Sequence, residues 1–163
     1  LFVARNIANL VPPFTPDGAQ RAVSAALEFA VQALRVKHIV VLAHAQCGGI
    51  RAYAEEAAPL SPGDFIGNWM AMIAPAAKKV GPRGERSFDE YLTALEQQSA
   101  LTTLDNLMTF PWVKLLTESG KLKLHAAYFG VATGGLSVYD PAQEKFVRVA
   151  PESHAKAFVS PRF

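Results

Sequence analysis

Apolar residues along this chain follow two rhythms, and the switch between them marks the elements. Val23, Ala26, Leu27, Ala30, Val31 and Leu34 recur at three- and four-residue steps, which predicts a helix with one apolar face. The run at 36–43 is instead nearly continuous and β-branched, the composition of a strand buried on both faces of a parallel sheet. Phe2-Val3-Ala4 predicts a shorter strand ahead of them, with Arg5-Asn6 as its polar exit. Between strand and helix, Val11-Pro12-Pro13 and Thr15-Pro16-Asp17-Gly18 can only be a connection, with Thr15 as N-cap and Pro16 in the first helical turn. The pattern is strand, helix, strand.

Further on, residues 50–58 predict a short Ala-rich helix that Pro59 and Pro62 end. Phe65, Trp69, Met72 and Ile73 mark another, which Pro75 should kink or divide before the loop Gly81-Pro82-Arg83-Gly84. Ser87 with Glu90 is a capping-box signature opening a long helix whose apolar positions run from Phe88 through Leu95 to Leu104 and Met108. Pro111 opens a last short helix that Gly120 closes. Leu122, Leu124, Ala126, Tyr128 and Gly130 alternate as in a strand, and Thr133-Gly134-Gly135 turns the chain into an antiparallel partner at Leu136-Ser137-Val138-Tyr139. Residues 146–149 add an edge, and the tail from Pro151 reads as an arm. The expected class is α/β, a mostly parallel sheet flanked by helices with a C-terminal antiparallel strand.

Length and composition narrow this picture. A chain of 163 residues, half of them hydrophobic, suffices for one domain with a sizeable core. Sixteen basic and fourteen acidic residues, scattered without a basic stripe, argue against nucleic acid as a partner. No apolar run approaches the length of a membrane span. A single cysteine excludes an intrachain disulfide and suits a reducing compartment, so a cytoplasmic location is expected.

That cysteine, Cys47, stands three residues after His44 in the loop leaving the carboxyl end of the 36–43 strand, where open α/β sheets place their ligand sites. The spacing lets an imidazole and a thiolate converge on one tetrahedral cation, and sulfur with nitrogen matches zinc. A buried hydrophobic cysteine beside a solvated histidine is the plainer reading, and two ligands fall short of the three that a catalytic zinc site normally takes from protein. His38, His125 and His154 have no sequence neighbour able to share a metal and read as structural or solvated. Gly48 and Gly49 allow the backbone to turn closely past a bound group.

The run His44-Ala45-Gln46-Cys47-Gly48-Gly49, behind Ile39-Val40-Val41-Leu42, resembles the second zinc-ligand motif of the β-class carbonic anhydrases, Gly-His-Ser-x-Cys-Gly-Gly, with Ala43 and Ala45 in place of Gly and Ser. The segment from Leu1 to Pro13, the helix from Ser24, Asn106-Leu107-Met108-Thr109-Phe110-Pro111-Trp112-Val113 and Leu124-His125-Ala126-Ala127-Tyr128-Phe129 also resemble that family. The resemblance implies zinc-dependent, reversible hydration of carbon dioxide to bicarbonate, with Zn2+ held by His44 and Cys47. It further implies that Phe2, Ile7 and Phe29 line a small apolar pocket for CO2, that the Gly48 amide meets the substrate, and that subunits pair as a homodimer or a higher homo-oligomer. The family's Cys-x-Asp-x-Arg motif, the source of another thiolate and of an Asp–Arg pair, is absent from these residues. The expectation is therefore an N-terminal portion outside this chain, with the chain alone inactive. The rival reading is a non-catalytic scaffold of the same fold.

Overall fold

The β-branched run becomes an extended strand, β1 (His38–His44), and the alternating run becomes β2 (Lys123–Gly130) beside it. They pair in parallel with Val41 opposite Ala126, and the computed structural model, which describes residues 1–150, adds two antiparallel strands beyond them. These are β3 (Gly135–Asp140) and β4 (Lys145–Arg148), in the order β1-β2-β3-β4. Gly134, at φ +65°, supplies the left-handed residue that the β2–β3 turn needs. The class is α/β, as expected: β1 and β2 pair in parallel, β3 pairs antiparallel with β2, and β4 is the further edge.

Helix α1 (Ala22–Glu28) widens into a π-helical turn over Phe29–Ala33, and α2 (Gly48–Ala54) follows β1. The start of α1 is later than Thr15 and Pro16 suggest. The Thr15 hydroxyl donates to Pro13 O at 3.2 Å, while Asp17 accepts from the Ala19 amide and is hydrogen-bonded to Arg21, which holds its carboxyl at about 2. These local bonds stabilise a turn in place of a first helical turn.

Asp64 caps α3 (Phe65–Met70) by accepting from the Gly67 amide at 3.0 Å. Pro75 divides the next stretch as expected, standing in the first turn of α4 (Ala74–Val80) after a 3-10 turn at Ala71–Ile73. The capping box is formed: Ser87 Oγ accepts from the Glu90 amide at 3.2 Å, and Glu90 Oε2 accepts from the Ser87 amide at 2.8 Å. It opens α5 (Phe88–Leu107), and α6 (Pro111–Glu118) leads into β2.

Two apolar clusters hold these elements. One joins Val41, Ala43 and Ala126 of the sheet to Ala100 and Leu107 of α5, Phe110, and Val113 of α6. The other gathers Ala8, Leu10, Cys47, Ile50, Met70, Ile73, Leu92 and Leu95 around the start of α2.

Two expectations are overturned. β1 is buried on one face only: Val41 and Ala43 are 7% and 1% exposed, but Val40 and Leu42 are 57% and 54% exposed. The helices of the first cluster cover one side of the sheet, and among the described residues no strand pairs with the outer edge of β1. Phe2-Val3-Ala4 forms no strand, since no described ladder lies beside it to take its backbone hydrogen bonds. Among the described residues, no helix is long and apolar enough to cross a membrane. The expected arm from Pro151, with His154, lies outside the described residues.

Candidate functional site

The loop after β1 is shaped by three successive constraints. Pairing runs one residue past the strand, with the Ala45 amide donating to Phe129 O at 2.9 Å. Gln46 then takes the left-handed conformation, φ 55°, and Cys47 returns to extended backbone as N-cap of α2. His44 is exposed, and its Nδ1 lies 3.0 Å from Ala45 O. A carbonyl only accepts, so Nδ1 carries the hydrogen and Nε2 is left with the lone pair that a cation would use. Cys47 is a free thiol, 4% exposed, with its sulfur-bearing residue in the cluster around α2.

A residue that sequence reasoning did not single out anchors this loop. Glu96, 1% exposed, reaches from α5 and accepts the Cys47 amide on Oε1 at 2.7 Å and the Tyr128 hydroxyl on Oε2 at 2.7 Å. Burial pushes its carboxyl pKa up, partly offset by the hydrogen bonds from Tyr128 and Cys47 and by the charge of His44. Burial and the neighbouring carboxylate likewise push the Tyr128 phenol up. The sequence did carry a signal: Glu96 lies four residues after Leu92 and four before Ala100, on the buried stripe of its helix. A charge there has to be hydrogen-bonded.

The expected apolar pocket residues separate into two groups. The turn Ile7–Asn9 lies against both β1 and α2, and the Trp69 indole donates to Ile7 O at 2.8 Å. A Cβ on Gly49 would come within 2.8 Å of Ile7 Cγ2 and 3.1 Å of Met70 Cε, whereas one on Gly48 would meet nothing within 4 Å. A side chain at 49 would therefore require Ile7 and Met70 to shift. Phe2 and Phe29 meet each other, ring centroids 6.0 Å apart, and both remain about half exposed.

Chemically, the loop offers one imidazole nitrogen and one thiol. No group of three or more His, Cys, Asp or Glu able to hold a metal occurs among the described residues. His44 and Cys47 suit zinc by donor type, but the described residues do not complete a three-ligand site. Two shallow surface depressions near α4, α5, β3 and β4 include no residue of the loop.

A family model described as carbonic anhydrase matches residues 1–136. Beta carbonic anhydrase 3 of Arabidopsis thaliana is 32% identical over 143 residues, covering 85% of this chain and 55% of that protein. Beta carbonic anhydrase 5 of the same plant, described as chloroplastic, is 34% identical and covers 78% of this chain and 42% of its own length. Among solved structures, the β-carbonic anhydrase CcaA superposes with a TM-score of 0.82 at 25% identity, over 91% of this chain and 66% of that one. CafA of Aspergillus fumigatus gives 0.70 at 29% identity, over 94% of this chain and 67% of that one. The chain thus spans about half the length of the curated relatives it matches.

Proposed function

The chain belongs to the β-carbonic anhydrase family, and from that premise we propose that the whole protein catalyses zinc-dependent interconversion of carbon dioxide and bicarbonate. His44 Nε2 and the Cys47 sulfur are two of the metal's protein ligands. The remaining protein ligand comes from outside the described residues. When bound, the zinc supplies Lewis-acid activation of a water for attack on the carbon of CO2.

This chain's own contribution is to position the ligands and to supply apolar surface beside them. The Ala45 carbonyl fixes the His44 tautomer so that Nε2 is the donor. Glu96 fixes the Cys47 main chain, and with it the thiolate, from a helix held by the core. Phe2, Ile7 and Phe29 provide apolar walls, which suit a substrate with no charge to neutralise, and the Gly48 amide meets a substrate oxygen. A homodimer is the smallest assembly.

The observation that carries this reading is the His44–Cys47 pair at the carboxyl end of a parallel strand, with the thiol free and the imidazole presenting Nε2. Metal analysis and stopped-flow CO2 hydration on the whole protein test it. About one zinc per subunit and a measurable rate are expected, both lost in Cys47→Ser because a neutral hydroxyl is a far poorer zinc ligand than a thiolate. The 163-residue chain alone should hold little zinc and show negligible hydration. A second reading, a non-catalytic scaffold, is favoured by the missing third donor among the described residues. A zinc-free, inactive whole protein would decide for it.

A further inference from the structure

At the other end of β1 the sheet makes a contact that no sequence spacing announces. The parallel register sets Val40 opposite His125, which places His38 on the same face, one diagonal step away. Their rings stack with centroids 5.2 Å and planes 24° apart, and His38 Nδ1 lies 3.0 Å from His125 Nε2. The two residues are 87 positions apart in sequence. Their rings have no other hydrogen-bonding partner among the described residues, His38 is exposed and His125 half-buried.

We propose that the His38–His125 pair is a second transition-metal site, taking Ni2+ or Cu2+ in preference to Zn2+, with the two imidazoles as adjacent ligands and solvent in the remaining positions. The separation is already close to that of two adjacent ligands of a square-planar or octahedral ion. With a metal–nitrogen bond of about 2.1 Å, nitrogens 3.0 Å apart subtend roughly 90°, the angle between neighbouring positions of a square-planar or octahedral ion. A tetrahedral zinc would need the nitrogens about 3.4 Å apart.

In the metal-free pair one facing nitrogen donates to the other. Moving that ring's hydrogen to its outer nitrogen frees both facing nitrogens with no net proton released, and rotation of the exposed His38 ring turns the two lone pairs onto one ion. Burial first, then the neighbouring His38 and Lys123, lowers the pKa of His125, which favours the neutral ring that coordination needs. Lys123, opposite His38 in the register, lies beside the pair and its charge opposes a divalent ion. Lys123→Gln should therefore tighten binding severalfold.

Untagged protein titrated calorimetrically with NiCl2 tests the site, and Cu2+ electron paramagnetic resonance on the Cys47→Ser variant reads the ligands without interference from the thiol. One Ni2+ per chain is expected, retained in Cys47→Ser and in His154→Gln, and weakened at least about tenfold in both His38→Gln and His125→Gln. The Cu2+ spectrum should show splitting from two nitrogens. Circular dichroism confirms that the variants fold, and His38→Gln, at an exposed position, carries the test should His125→Gln unfold. Unchanged Ni2+ affinity in His38→Gln, loss of binding in Cys47→Ser, or tighter binding of Zn2+ than of Ni2+ in Cys47→Ser would overturn the proposal. Because Cys47→Ser separates the two ends of β1, failure here leaves the proposed activity untouched.

Discussion

Val41 and Leu42 are neighbours of similar hydrophobicity in one strand, yet the first is 7% exposed and the second 54%. The side-chain period of two sends them to opposite faces of β1, and only the face carrying Val41 is roofed by α5 and α6. The two edges of the sheet differ in the same sense. β4 is four residues long and bounded by Lys145 and Arg148, as suits an edge exposed to water. β1 is seven residues long and apolar at its centre, the composition of a strand with neighbours on all sides. The difference teaches that β1 is built for more contact than the described residues give it.

The largest effect should come from putting a charge on each face in turn. Val41→Asp buries a carboxylate among Ala43, Ala126 and Val113 and should cost about 4 kcal/mol or more, enough to unfold a marginal domain. Leu42→Asp, on the open face, should change stability of the isolated chain by only about 0.5 kcal/mol. Urea denaturation measures both, and equal costs would mean that the faces are not as different as their exposure. In the assembled whole protein, Leu42→Asp should instead weaken self-association, read as a shift toward monomer in sedimentation.

Next in size is the anchor of the loop. Glu96→Ala leaves the Cys47 amide and the Tyr128 hydroxyl without their acceptor, at a cost of roughly 3 kcal/mol for one buried and one half-buried group. Glu96→Gln keeps an oxygen for the amide and offers its NH2 to the phenol oxygen, so most of that stability should return. Thermal unfolding of the two variants checks the order. Equal losses would mean that shape rather than hydrogen bonding holds the loop.

How far the chain was legible follows from where each signal resides. Ser87 with Glu90, Pro75, Pro111 and Gly134 act through bonds or dihedrals within a few residues, and each does in the structure what it promises in the sequence. His44 and Cys47 were legible because their loop is contiguous. Glu96 and the His38–His125 pair were not, because α5 and the β1–β2 register bring together residues far apart in sequence. The expected strand at Phe2 and the two-sided burial of β1 misled for a related reason: β-branched composition reports that a segment fits a sheet, and says nothing of which neighbour is there to pair with it.

The smallest predicted effect is a slope. Glu96 has its folded carboxyl pKa raised above the unfolded value, chiefly by burial. A raised folded value means that the folded state binds the proton more tightly. The stability this contributes is fully present below the ordinary carboxylate range and is lost as pH rises through the raised value. Asp17, Glu90 and Asp140 work in the opposite direction, their carboxyls held low by Arg21, Ser87 and Gln143 respectively, so the total stability of the wild type mixes both signs. Glu96→Gln isolates the one that matters, because the other groups cancel between the two proteins. The stability of Glu96→Gln relative to wild type should therefore climb as pH rises from the ordinary carboxylate range through the raised value, and level off once Glu96 is ionised. Urea unfolding at several pH values gives the difference directly. A difference that stayed flat would place Glu96 in contact with water, and the buried anchor under Cys47 would no longer distinguish the loop end of β1 from its open face.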